Sequence, residues 1–330
     1  MNSLSWLKKA SWILPFLILA SCQGLRTRED VRRPPTPTRP SAPGQQTPSS
    51  PSQVITQDED DHTVVTEPPP PAPVIPDMPK IGIILGAGGA KTFAHIGFLH
   101  ELMRAKVPVH IIGGVEFAAP MAALYANKEQ ANDVEWQMFK LKDEDIIKKS
   151  LLGSVSKNGE VSQLKDFIGT AFSRAKVDEF SIPFACPSYN LKKNQVYLMN
   201  RGSLDQLMYM CMAYPPFFRP HQGNVAAVRD ISALANYMRS KGANHIVLIN
   251  VLQAPGGNRP YTSDAAATDN VLWSEIAGLY NKPLAGVDTV VSLDTSAYGI
   301  MDFEKRREIM NKGAEAASRQ MKTLTRRWGL

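Results

Sequence analysis

The stretch "KIGIILGAGGAKTFAHIGFLHELMRAKVPVHIIGG" (80–114) decides the fold. "IGIIL" is a continuous apolar run, as expected of a strand buried on both faces. Glycines follow, and then helical spacing begins, with Ala94, Phe98 and Leu102 on one side. A second apolar run, "VPVHII" (107–112), leads through "GGVEFAA" (113–119) into the helix-like "PMAALYANK" (120–128). Downstream, strands are expected at 182–189, 194–200, 245–251 and 288–293. Helices are expected around 117–127, 161–174, 203–213, 231–241 and 303–326. Strands interleaved with helices predict a three-layer α/β/α domain with a largely parallel central sheet.

Outward from Lys80 the composition changes. Of the 25 prolines, 14 fall between Pro34 and Pro79. Residues 24–79 have almost no aromatics and no sustained apolar period, so they cannot bury enough surface to offset the entropy of ordering. They read as a disordered, Pro-rich tether. Before them, Lys8 and Lys9 precede the apolar "SWILPFLILA" (11–20), which is too short to span a bilayer comfortably. The run ends in "LASC" (19–22), which resembles the lipobox of bacterial lipoproteins. That resemblance implies a signal peptide over 1–21, acylation of Cys22, and membrane attachment of residues 22–79 ahead of a domain at 80–330. Gln23, where inner-membrane retention favours Asp, points to an outer-membrane lipoprotein facing the periplasm. Cys186 and Cys211 can form a disulfide or stay as two buried thiols, and the sequence does not decide. The formal charge of +6 comes without a long basic block. The basic "TRRWGL" (325–330) reads as a solvated helix end, so no nucleic-acid partner is expected.

From Lys80 to about residue 320 the chain resembles the patatin-like phospholipase family. The family's glycine loop and first helix are matched by "GAGGAKTFAHIGFL" (86–99), and its nucleophile turn by "GVEFAAPMAALYA" (114–126). The segment before its catalytic aspartate is matched by "AYPPFFRP" (213–220), its aspartate motif by "DISALANYMRSKGANHIVLINV" (230–251), and its tail by "SAYGIMDFEKRREIMNKGAEAA" (296–317). The resemblance implies lipid acyl hydrolysis, with a serine as nucleophile, an aspartate as base, and loop N–H groups holding the oxyanion. It calls for no cofactor and no metal.

All three motifs depart from the family pattern. Glu116 stands at the nucleophile position, and Ala118 replaces the second glycine of the turn. Ala87 and Thr92 replace two loop glycines, leaving Gly86, Gly88, Gly89 and Lys91 as an oxyanion-loop remnant. Asp230 persists at the base position, beside Ile231 and Ser232. Glu116 at a helix N-terminus is expected to pair with Lys91 or Arg229. A Glu116–Asp230 acid–base pair is a weaker reading, and two oxygens are too few for a cation site. Lys91 suits an anionic head group or a surface ion pair. His95 suits the core, and "YPPFF" (214–218) suits either an acyl pocket or a packed loop. Ser154 and Ser156 lack an elbow context. The favoured function is a catalytically inactive pseudo-hydrolase that binds a lipid or a protein. An active acyl hydrolase with altered motifs and a structural tether stand as alternatives.

Overall fold

The computed structural model describes residues 78–146, 148–149, 155–156, 159–172, 175–252 and 267–330. The leader, Cys22, the tether up to residue 77, and Ser154 lie outside them.

The run 81–85 is strand β1 (Ile81–Leu85), buried at every residue. Helix α1 (Ala94–Arg104) follows, then β2 (Val109–Gly114) and α2 (Ala118–Lys128). Next come α3 (Ala131–Met138), the single turn α4 (Asp143–Ile146), the antiparallel pair β3 (Lys148–Lys149) and β4 (Val155–Ser156), and α5 (Lys165–Phe172). The second half runs β5 (Phe184–Asn190), β6 (Gln195–Met199), α6 (Leu204–Met212), β7 (Asn224–Ala226), α7 (Ile231–Ser240), β8 (His245–Asn250), α8 (Ala267–Tyr280), β9 (Thr289–Ser292) and α9 (Arg306–Arg327).

The main sheet has the order β6–β5–β2–β1–β8–β9. From β5 to β9 the pairings are parallel, whereas β6 and β7 lie antiparallel on β5. Helices α1 and α9 pack on each other, and α7 lies against β1, β5 and β8. The expected α/β/α class is therefore observed. Helices α3 and α8 were not expected. Both bury residues at helical spacing: Ala131, Val134 and Met138 in α3, and Trp273, Ala277 and Tyr280 in α8. Cys186 of β5 and Cys211 of α6 form a disulfide across a Cα–Cα distance of 6.0 Å, which decides the question the sequence left open.

Candidate active site

Two halves of the site grow from the C-terminal ends of neighbouring parallel strands, the usual place for ligands in open α/β sheets. Beyond Leu85 the chain passes through Gly86–Gly88 into a 3₁₀ turn, Gly89–Phe93. Beyond Gly114 it turns sharply into α2. The Val115 N–H donates to the Leu85 carbonyl at 3.0 Å, which holds loop and elbow side by side.

Glu116 sits at the apex of the elbow with φ +59°, in the left-handed region. For a residue with a Cβ this conformation costs roughly 1–2 kcal/mol. The strained backbone of a nucleophile elbow is thus present, with a carboxylate as its occupant. The methyl of Ala118, which replaces the second glycine of the turn, is accommodated in full burial. The tight approach falls instead on Gly114, where an added Cβ would lie 2.2 Å from the Ala118 carbonyl oxygen.

The Glu116 side chain is completely buried and reaches into the glycine loop. Its Oε2 accepts hydrogen bonds from the N–H groups of Gly88 (3.2 Å) and Gly89 (3.0 Å). Burial pushes the carboxyl up to about 7, against the pull of the Phe117, Gly89 and Gly88 N–H groups. Oε1 has no hydrogen-bond partner. The expected pairing with Arg229 is not what forms: Arg229 pairs with Glu275 at 2.7 Å. The partners of Glu116 are the backbone donors that, by the family resemblance, would hold an oxyanion.

The rest of the loop is also committed. Gly86 N–H donates to the Ile249 carbonyl, Ala90 N–H to the Ile300 carbonyl (2.7 Å), and Lys91 N–H to the Gly88 carbonyl. Ala87 N–H faces the Tyr280 hydroxyl at 3.4 Å. From Gly86 to Lys91 every backbone N–H has an acceptor. At Gly89, with φ +55°, a Cβ would lie 2.4 Å from Phe217 Cζ and 2.5 Å from the Ile300 oxygen. Phe217 of the 214–218 segment therefore packs onto the loop. Phe217 meets Phe117 edge-on at 5.0 Å and Phe303 at 5.7 Å, with Trp273 at 6.2 Å.

Asp230 is half-buried at the start of α7 and makes no side-chain capping bond. Burial raises its carboxyl above the usual range, and Arg229 lowers it. No hydrogen bond joins it to Glu116, so the structure does not assemble the two carboxylates as a pair. Lys91, expected near a ligand or at the surface, is buried; its amine is lowered to about 8 by burial, with Asp302 and Asp294 acting against that shift. His95 is a core histidine, its Nε2 2.8 Å from the Gly86 carbonyl oxygen and its ring held near 4 by burial.

Tyr280 was not singled out from the sequence. Its buried hydroxyl donates to the Val228 carbonyl at 3.0 Å while facing Ala87 N–H, tying the loop to the segment just before Asp230. The signal was the helical spacing of Trp273, Ala277 and Tyr280. A cavity of about 850 Å³ lies elsewhere, between α5 and the start of α6, lined by Lys165, Asp166, Lys176, Ser203 and Asp205 among others. It includes neither the loop nor the elbow.

Residues 83–235 match the family described as patatin-like phospholipase, so the chain carries a patatin-like phospholipase domain. Neuropathy target esterase sws of Drosophila melanogaster is 26% identical over 185 residues, covering 52% of this chain and 13% of that protein. Lysophospholipase NTE1 of Coccidioides immitis (strain RS) is 25% identical over 286 residues, covering 76% of this chain and 18% of that protein. This chain thus spans less than a fifth of either relative. Among solved structures, VipD from Legionella pneumophila is 11% identical, with a TM-score of 0.38 over 74% of this chain and 67% of that one.

Proposed function

We propose that this protein is a membrane-anchored patatin-like domain that has lost acyl hydrolysis and works as a binding module. One observation carries the reading. The carboxylate of Glu116 accepts from Gly88 and Gly89, the donors an ester's developing oxyanion would need. A hydroxyl nucleophile is missing from the elbow, and its oxyanion donors are satisfied from within the chain. Losing one such donor costs a hydrolase roughly 10²–10³ in rate. A carboxylate attacking an ester would form a mixed anhydride, and among the described residues no side chain hydrogen-bonds Glu116 to serve as a base for its breakdown. Phe217 and the Ile300 carbonyl cover Gly89, which argues against an acyl chain at the loop. Recognition then falls to other surfaces of the domain.

The anchoring part rests on "LASC" (19–22) and the apolar run before it, and the Cys186–Cys211 disulfide supports an oxidising compartment such as the periplasm. Membrane-fraction mass spectrometry is expected to find diacylglyceryl-modified Cys22 at the mature N-terminus, and Cys22→Ser is expected to leave an unlipidated precursor. A soluble, unmodified mature protein contradicts anchoring. The catalytic part is tested with the full chain, a fluorophosphonate probe and lysophospholipid. No labelling and no turnover are expected. Turnover that disappears on Asp230→Asn would restore the hydrolase reading.

A further inference from the structure

We infer that the end of the sheet opposite the elbow is a docking face for a bilayer surface rich in anionic phospholipid headgroups. This is where β1, β2 and β8 begin, with Ile81 level with Val109 and His245. The Lys80 N–H donates to Asn244 Oδ1 at 2.8 Å, and the Asn244 N–H returns a bond to the Lys80 carbonyl at 3.0 Å. Helix α7 ends at the same level, its Lys241 carbonyl 2.9 Å from His110 Nε2. Helix α9 ends there too, with the Trp328 ring 6.3 Å from that of His245. Four elements thus bring exposed Lys80, Lys106, Lys241, Arg326 and Arg327 to one end of the domain.

Two acids among the described residues at this end are already paired. Asp288 pairs with Arg239 at 2.6 Å, and Glu101 with Arg104 at 2.8 Å. None of the five cations forms an ion pair among the described residues; Lys241 Nζ lies over the Tyr237 ring at 5.5 Å. Toward β5 the charges are mixed, with Lys128 beside Glu129 and Lys176 paired with Glu179. A helix dipole accounts for Arg326 and Arg327 at the end of α9. It does not account for Lys80, Lys106 and Lys241, which belong to other elements. Met78 (73% exposed) and Leu330 (44%) add apolar side chains to the same end. The chain also enters the domain here, at Met78–Lys80, so an acylated tether would reach the domain at its basic face. In that one respect the inference rests on the anchored reading above; its electrostatics stand alone.

Each cation held near an anionic surface raises partitioning about fivefold. A domain docked this way turns the former catalytic end away from the bilayer, on the order of 15 Å along the strands. That orientation suits a binding module better than an interfacial lipase.

The test is sedimentation of the full chain with phosphatidylcholine vesicles and with mixed phosphatidylcholine–phosphatidylglycerol vesicles. Two charge-matched variants are compared. Lys80→Glu/Lys241→Glu changes the basic end, and Lys192→Glu/Lys193→Glu changes the exposed β5–β6 turn at the opposite end. The wild-type chain is expected to prefer the anionic vesicles, and added salt should weaken that preference. The first variant should lose at least about twentyfold of it, while the second keeps it. Equal binding to both vesicle types means that the apolar leader alone binds, and overturns the inference. Equal loss in both variants assigns the effect to net charge and overturns it too. Displacement of the chain from vesicles by a short DNA duplex at equal phosphate concentration would make the face a nucleic-acid site instead. Because Cys22 acylation and probe labelling are measured separately, failure here is distinguishable from failure of the proposed function.

Discussion

The elbow and the start of α7 carry the two positions that the family pattern joins as serine and aspartate in one catalytic pair; here both are carboxylates, and they depart from the pattern in opposite ways. At the elbow the backbone device survives: φ is +59°, and two loop N–H groups aim at the apex side chain. Only the chemistry of the occupant has changed. At Asp230 the residue type survives, but it is half-buried, uncapped and without a hydrogen bond to Glu116. A preserved backbone without its hydroxyl, and a preserved carboxylate without its partner, do not add up to a dyad. The difference teaches that backbone geometry and residue identity are separable within one site.

The largest expected effect addresses that comparison directly. Glu116→Ser returns a hydroxyl to the elbow and frees the Gly88 and Gly89 donors. It does not bring Asp230 into contact or move Phe217 off Gly89. A base held out of contact costs about 10²–10⁴, and misplacement of the nucleophile about another 10². The variant is expected to remain at least about 10⁴-fold below an intact hydrolase of this type. Assays on p-nitrophenyl esters would measure this, and fast turnover would mean that the elbow alone suffices.

Next in size is Gly89→Ala. A methyl there meets Phe217 and the Ile300 carbonyl at a positive φ. Left-handed strain and overpacking together predict a loss of about 2–5 kcal/mol. Denaturant unfolding checks it, and a neutral result would show that the aromatic cover is loose.

The third concerns pH. The Glu116 carboxyl titrates near 4.5 in the unfolded chain and at about 7 in the fold. The folded state therefore holds the proton more tightly. Its stabilising contribution is complete below about 4.5 and is lost as pH rises to about 7, with no further change from this group above that. The loss is on the order of 3 kcal/mol, at about 1.4 kcal/mol per pH unit. Unfolding midpoints across this window should fall in the wild-type protein, and this component of the slope should be absent in Glu116→Gln. Identical slopes in the two proteins would mean that the carboxylate is not buried.

The smallest effect tests the tie between the two regions. Tyr280→Phe removes the hydroxyl shared by Ala87 N–H and the Val228 carbonyl. Leaving buried backbone groups unpaired costs about 1–3 kcal/mol. Hydrogen exchange at Ala87 should accelerate, whereas unchanged exchange would mean that the loop is held without Tyr280.

Much of this fold was legible because burial writes itself into spacing. "IGIIL" is continuous because β1 lies between β2 and β8 with helices over the sheet, and α7 and α9 appear close to their expected ranges. Helix α3 was missed because its eight residues carry only three buried positions, and α8 because its apolar residues are spread around the helix rather than along one face. At the site, Glu116 was legible as the anomaly, but its partner was not. A carboxylate invites a search for cations, and Lys91 and Arg229 were the nearby ones. Its actual partners are backbone N–H groups, which every residue has and no side-chain pattern reports. For the same reason the Ile300 carbonyl capping Ala90 could not be read from "SAYGIMDF".

The central claim is that the Glu116 carboxylate sits on the Gly88 and Gly89 amides. Amide proton shifts of those two glycines, followed by NMR from acid to alkaline pH, test it most directly. The account predicts that both shifts move together with a midpoint near 7, and that both are flat in Glu116→Gln. Shifts that do not titrate, or that titrate with the ordinary carboxyl midpoint near 4.5, would place the carboxylate elsewhere and contradict it.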